Sequence, residues 1–208
     1  TKNKEFKWPE FIIAANNIDL AENTISYTLN NQKQDVNAFN PNAFKIQQFQ
    51  LLAKNLKYEP EKVNLNVTKF SFSEPSGIRL DQLAFKAGLT DTDASLSNMV
   101  FQMNKSSAKA DLNINFNSLN EAIRSPEKTT LSASISDLIL EIEDVQKLSS
   151  TLVQNQYLDS LSIHPIIGSL NAQGSLKEVN DFNTQLQWGP ETLIAANGSI
   201  RNLTDTDS

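Results

Sequence analysis

The stretch Ser106–Leu119, SSAKADLNINFNSL, decides how the rest of the chain is read. Every second residue from Ala108 is apolar: Ala108, Ala110, Leu112, Ile114 and Phe116. Between them stand Lys109, Asp111, Asn113, Asn115 and Asn117. A strand sends alternate side chains to opposite faces, so this is a strand with one apolar and one polar side. The apolar side must meet something. It is either the closed core of a sandwich or an open groove that another molecule fills.

The same alternation continues in both directions. Upstream, Leu96 precedes Met99, Phe101 and Met103, and Leu83, Phe85 and Ala87 form the strand before it. Ile78 and Leu80 follow a Pro75–Gly77 turn. Leu56 and Tyr58, then Val63, Leu65 and Val67, flank a Glu59–Pro60 turn and read as a hairpin. Phe70 and Phe72 resume on shifted parity, which predicts a β-bulge. Asn30–Asn42 is polar, rich in Asn and interrupted by Pro41, and reads as a loop. The first strands are two short runs around a turn at Ala21–Asn23, with Ile25, Tyr27 and Leu29 on one face.

Downstream, Leu131, Ala133 and Ile135 form a strand, and Leu138, Leu140 and Ile142 continue it on the opposite parity. In EDVQKLSSTLVQ the spacing changes: Val145, Leu148 and Leu152 recur at helical intervals behind Glu143 and Asp144. Acidic residues suit a helix N-terminus, so a single amphipathic helix is expected from about Glu143 to Asn155. LSIHPIIGSLNAQGSL returns to strand. Phe182, Thr184, Leu186 and Trp188 make the next strand, closed by a Gly189–Pro190 turn, and TLIAANGSIRNL makes the last. Turns recur every about 8–12 residues, the spacing of all-β architectures.

The composition excludes several classes of function. The net charge is −6. No cluster of Lys and Arg is denser than Lys2–Lys7, which argues against nucleic acid as a partner. The absence of cysteine removes disulfides and thiolate metal sites. No run of about 18 apolar residues marks a membrane-spanning helix, and TKNKEFKWPEF lacks the apolar centre of a signal peptide.

Catalytic patterns are missing too. There is no G-x-S-x-G, no phosphate-binding G-x-x-x-x-G-K and no H-E-x-x-H. The single histidine, His164, precedes Pro165 and reads as structural. Asp91 and Asp93 begin like a calcium loop, but Leu96 stands where that loop needs Gly and Gln102 where it needs Glu, so a polar turn is expected. Asn66, Asn104, Asn197 and Asn202 each open an Asn-x-Ser/Thr triplet, a pattern that an Asn-rich chain produces by chance. No enzyme activity, cofactor or metal is expected.

Alternation alone leaves sandwich and groove both open. The polar faces are almost uniformly Asn, Gln, Ser and Lys, and only one helix is available to cover the other side. A single sheet that is wet on one face must bury its other face on something. The stretch from Phe70 to Leu112 resembles a segment of the TamB-like translocation and assembly module proteins of the AsmA-like family. The similar features are an aromatic-alternating strand entering Glu74-Pro75-Ser76-Gly77, two one-sided strands, then Lys105-Ser106-Ser107. ASISDLILEIEDVQKL is similar to the family's strand that passes through an Asp into a short helix. LNAQGSLKEVNDFNTQLQWGPETLIAANGSIRNLTD is similar to its Gly-centred repeat, and FIIAANNIDLAENTISYTL to its strand pairs.

The resemblance implies an all-β fold over residues 1–208: a curved antiparallel sheet forming an open apolar groove (a β-taco), as one segment of a longer repetitive β-groove protein. It implies a periplasmic location in a double-membrane bacterium, with the parent anchored in the inner membrane by a helix absent here. The implied role is outer-membrane biogenesis, by phospholipid transport between membranes, outer-membrane protein assembly, or both. The implied partners are phospholipid acyl chains, neighbouring β-groove repeats of the same chain, and an outer-membrane assembly barrel met elsewhere in the parent. On this reading the strictest alternators line the groove: Phe70, Phe72, Leu83, Phe85, Met99 and Phe101, continued by Met103, Leu112, Ile114, Phe116, Leu186 and Trp188. The alternative is a closed β-sandwich binding module of an exported surface or adhesion protein, which would bind through loops such as Asn30–Asn42 and their exposed aromatics, with Phe39 the one candidate.

Overall fold

The computed structural model describes residues 5–153, 155–175 and 177–201. Gln154 of the expected helix, Leu176 of the Gly-centred repeat and the Asn202 triplet lie outside them. The described chain is one ten-stranded sheet in which every strand pairs with its neighbour in sequence. The strands are β1 (Ile13–Thr28), β2 (Ala43–Glu59), β3 (Lys62–Glu74), β4 (Ile78–Thr90), β5 (Asp93–Met103), β6 (Ser106–Asn115), β7 (Thr130–Leu140), β8 (Ile166–Gly174), β9 (Val179–Trp188) and β10 (Thr192–Ile200). All nine pairings are antiparallel, and β10 does not return to β1, so the curved sheet stays open.

The register explains why one face is apolar. A single row of paired residues crosses all ten strands: Ile13, Tyr58, Val63, Leu89, Ala94, Ile114, Leu131, Gly174, Val179 and Ile200. The adjacent row, on the opposite face, reads Lys57, Asn64, Gly88, Ser95, Asn113, Ser132, Gln173 and Asp181. One residue further, Leu65, Ala87, Leu96, Leu112, Ala133, Ala172, Phe182 and Gly198 restore the apolar side. Cross-strand neighbours on one face are the unit that stabilises a sheet, and along the interior strands of these rows each residue on the apolar face is flanked by others of the same face. The opposite face carries apolar residues too: Ile139, Ile167 and Leu193 share a row there with Gln187, and Leu52 and Val100 stand beside Lys69 and Lys109.

Bulges bend the strands without turning this face over. Thr68 and Lys69 separate Val67 from Phe70, and Asp137 interrupts β7 between Ile135 and Leu138. Each adds an extra residue, which flips parity and restores the apolar side chains to their original face. Gln48, Asn55, Asn98 and Asp137 take positive φ near such irregularities. The expected turn at Ala21–Asn23 is another bulge: β1 runs unbroken through it, with Glu22 at φ 57. Its two register shifts lie between Leu20 and Ile25, so the chain bends locally while the ladder with β2 continues.

Hairpin tips alternate between the two rims of the sheet. One rim carries the β2–β3, β4–β5 and β8–β9 tips and the β6–β7 connection, which holds a short helix α1 (Leu119–Arg124) that the alternation gave no sign of. Ser118 caps it by accepting the Glu121 amide. The other rim carries the β1–β2 loop, the β3–β4, β5–β6 and β9–β10 tips, and the β7–β8 insertion. That insertion corrects the expected single helix of Glu143–Asn155. It contains α2 (Ile142–Gln146), α3 (Ser150–Val153) and α4 (Gln156–Leu161). Side-chain capping divides them: Ser149 Oγ accepts the Thr151 amide and Asn155 Oδ1 accepts the amides of Tyr157 and Leu158. Strand therefore resumes at Ile166, and Leu161 still belongs to α4.

Candidate ligand groove

Among the described residues the apolar face has no second layer. Eight apolar residues are buried among those described, and no large side chain is completely enclosed. A two-layer sandwich of this length would enclose many, because interiors pack at crystal-like density. The thickest packing is local: Ile78, Leu80 and Met103 are buried, with Phe39, Phe70, Phe72, Leu83 and Phe101 against them. Phe39 is thus not an exposed loop aromatic. It is half-buried in this cluster, with its ring 5.5 Å from Phe44 and its amide donating to the Lys147 carbonyl. Phe39 therefore does not supply the exposed loop aromatic that a loop-binding sandwich would use.

The strictly alternating residues are brought to one face. Leu83 pairs with Phe101, and Met103 with Leu80, which itself pairs with Phe72. Phe85 faces Val67, and Phe70 faces Leu51. Met99 continues through Ala110 to Ile135, and Leu112 and Ile114 lie on the two apolar rows described above. Leu186 pairs with Gly168, and Trp188 with Ile166. Phe116 lies just past β6, its amide bonded to the Thr92 carbonyl. Apart from Met103, all are half-buried: they touch neighbours in the sheet and still present surface. Ala53, Val67 and Ile78 fall on apolar strand runs but not among the expected groove-lining residues, and they are among the best-covered members of the face. Their signal lay in cross-strand partners, which a strand read alone does not reveal.

The two rims differ. On the first, residues 5–12 run along the hairpin tips. Asn120 grips the Phe6 backbone at both N–H and C=O (2.8 and 2.9 Å), and Arg124 pairs with Glu5. The Trp8 indole donates to Asp91 at 3.2 Å, and the Tyr58 hydroxyl donates to the Pro9 carbonyl. The Trp8 and Phe11 rings lie 6.2 and 5.1 Å from Tyr58, and desolvation pushes the Tyr58 phenol above its ordinary range. The resemblance to a calcium loop has a simpler account: Asp93 accepts from Thr90 Oγ1 at 2.6 Å, while Asp91 holds Trp8.

On the second rim the β7–β8 insertion is locked down by Asp144. Its carboxylate, 2% exposed, accepts from Asn104 Nδ2, Lys105 N, Ser106 N and Ser106 Oγ. Ser106 Oγ in turn accepts the Glu141 amide. The neighbouring β3–β4 tip has a smaller version, in which the buried Glu74 carboxylate accepts the Ser76 amide and hydroxyl. Lys147 lies over Gly77 in the same tip. Further along, the Trp188 indole donates to the Leu161 carbonyl, and His164 packs edge-on against Trp188 at 5.8 Å.

Comparison of the chain with family models, with characterised proteins and with solved structures finds no match. The groove must be judged on its own geometry. Among the described residues no group of His, Asp and Glu is placed to hold a metal, and no helix is long and apolar enough to cross a membrane. What the face offers chemically is a strip of mostly aliphatic and aromatic surface, on which the polar groups of Tyr58, Thr184 and Trp188 are each taken up by a backbone carbonyl.

Proposed function

We propose that this chain is a segment of a longer repetitive β-groove protein of the TamB and AsmA-like kind. It acts in the periplasm in outer-membrane biogenesis, where the groove holds phospholipid acyl chains passing between the inner and outer membranes. The observation that carries the reading is the apolar row from Ile13 to Ile200, unbroken across ten strands and uncovered by any second layer among the described residues. Burial of apolar surface is non-directional and contributes about 0.8 kcal/mol per CH₂. Such a face holds a chain without fixing its position, so the chain can slide, while its polar head stays in water at the rim.

The open edges support the companion claim about partners. β1 and β10 each have one neighbour, and their apolar side chains Leu20, Ile25, Ile194 and Ile200 are more than two-fifths exposed. Exposed edges of this kind are templates for further strands. Neighbouring repeats of the same parent chain would continue the groove there, and contact with an outer-membrane assembly barrel would fall to parts of the parent beyond it. An extended segment of a membrane-protein client could use the same edges.

The test is direct. Protein purified without detergent is analysed by native mass spectrometry and by organic extraction. Bound phospholipid, displaced by added detergent, is the expected result. A protein that emerges free of lipid and takes up none from vesicles overturns the proposal.

A further inference from the structure

The strap of residues 5–12 is made of the wrong residues for a mere connector. It carries Phe6, Trp8, Phe11 and Ile12, yet none of its residues is buried, and Phe11 and Ile12 are 55% and 67% exposed. Its polar ties are few: the Asn120 clasp, the Tyr58–Pro9 bond and the Glu5–Arg124 ion pair face solvent, and the Trp8–Asp91 bond is only part-buried. Segments held this way open at low free energy. They also touch three successive structures of one rim: the end of β2 at Tyr58, the β4–β5 tip at Asp91, and α1 at Asn120 and Arg124. Tyr58 belongs to the apolar row, so at that end the strap's aromatic rings rest on the groove face itself.

We propose that residues 5–12 are a releasable strap that opens to admit an acyl chain over β2–β6 and then closes on it. The inference rests on the groove reading and adds a route of entry to it. The partial exposure of Phe6, Phe11 and Ile12 is then surface reserved for the ligand: an acyl chain beneath the strap covers aromatic rings that the sheet alone leaves half bare. The opposite rim does not open in this way, because the four-donor clasp on buried Asp144 fixes the insertion there.

The chain supplies its own reporters, having two tryptophans and no cysteine. Trp188→Phe leaves Trp8 in the strap as the only indole, and Trp8→Phe leaves Trp188 near the other rim. Each protein is mixed with vesicles of phosphatidylcholine carrying dibrominated acyl chains, whose bromines quench indoles they touch. Quenching of both indoles is expected. Separately, Glu5→Cys/Arg124→Cys joined by a short bismaleimide bridge holds the strap down, and uptake of a fluorescent acyl lipid is expected to slow about tenfold, a barrier of about 1.4 kcal/mol. Quenching of Trp188 without Trp8, or unchanged uptake by the bridged protein, overturns the strap and leaves the groove standing. Quenching of neither overturns both.

Discussion

Ser106 and Asp144 are joined by two hydrogen bonds across 38 positions of sequence: the Ser106 amide at 3.0 Å and its hydroxyl at 2.8 Å both donate to Asp144 Oδ2. The bond network ties the β5–β6 tip to the start of α2 and so fixes one rim of the groove. Removing the carboxylate leaves buried donors unpaired, at a cost of about 1–3 kcal/mol. Asp144→Ala should therefore lower the melting temperature by roughly 2–12 °C, given about 2–4 °C per kcal/mol for a chain of this size. Differential scanning calorimetry reads it, and a shift below one degree, roughly the effect of a neutral surface change, would refute the role assigned to this clasp.

Leu112→Asp separates a groove from a core. Leu112 sits in the middle of an apolar row, between Leu96 and Ala133, away from the packed cluster around Leu80 and Met103. In an enclosed core an unpaired carboxylate costs enough to unfold a domain. On an open face it reaches water. The variant should keep the strand signal in circular dichroism and melt cooperatively, with less bound lipid. An unfolded variant would defeat the open-groove account.

Gly168 is irreplaceable for a local reason. It sits at φ 148 where β8 passes close to β9, and a Cβ there would lie 1.9 Å from the Gln185 carbonyl oxygen. Gly168→Ala must displace backbone, so it should cost more than about 1 kcal/mol. Urea titration should show a lower midpoint at unchanged slope, and an unchanged midpoint would count against this packing.

Glu121 offers a pH test of the first rim. Its carboxyl is held below the ordinary range, first by the hydrogen bond from Asn117 and next by that from Lys128, with the Lys128 charge adding to both. A lowered folded value means that its contribution is present above the unfolded value and is lost as pH falls through the folded one. Asn117→Ala should raise the Glu121 midpoint in a carbon-detected NMR titration. A midpoint that stays put would show that Asn117 is not the cause.

The sheet was legible in the sequence because its signal is local. Alternation from Ala108 to Phe116 needs no knowledge of neighbours, and the parity shifts at Val67–Phe70 and Ile135–Leu138 announced their bulges. The shift at Asn23 reads locally as a turn, since Ala21-Glu22-Asn23 offers turn-forming residues and nothing local shows that β2 follows the bend. The insertion reads as one helix because Val145, Leu148 and Leu152 keep helical spacing, while Ser149 and Asn155 act as caps only once the chain is folded. The clasp on Asp144 and the strap were invisible for the same reason. Both join residues dozens of positions apart through hydrogen bonds that no periodicity encodes.

The row from Ile13 to Ile200 also sets a length scale. Nine interstrand steps of about 4.8 Å make a strip of roughly 43 Å. The hydrocarbon of a whole bilayer is about 30 Å thick, so one leaflet's chain extends only about 15 Å. On the proposed reading of the strip as an acyl-chain groove, a guest of that size has several energetically similar berths along it. Such degeneracy gives it a positional entropy of R ln n for n berths, a free-energy gain of RT ln n, which favours residence on the protein while favouring no one place on it. Occupancy then becomes a matter of how many guests fit in single file, and one guest can advance only as the next berth empties.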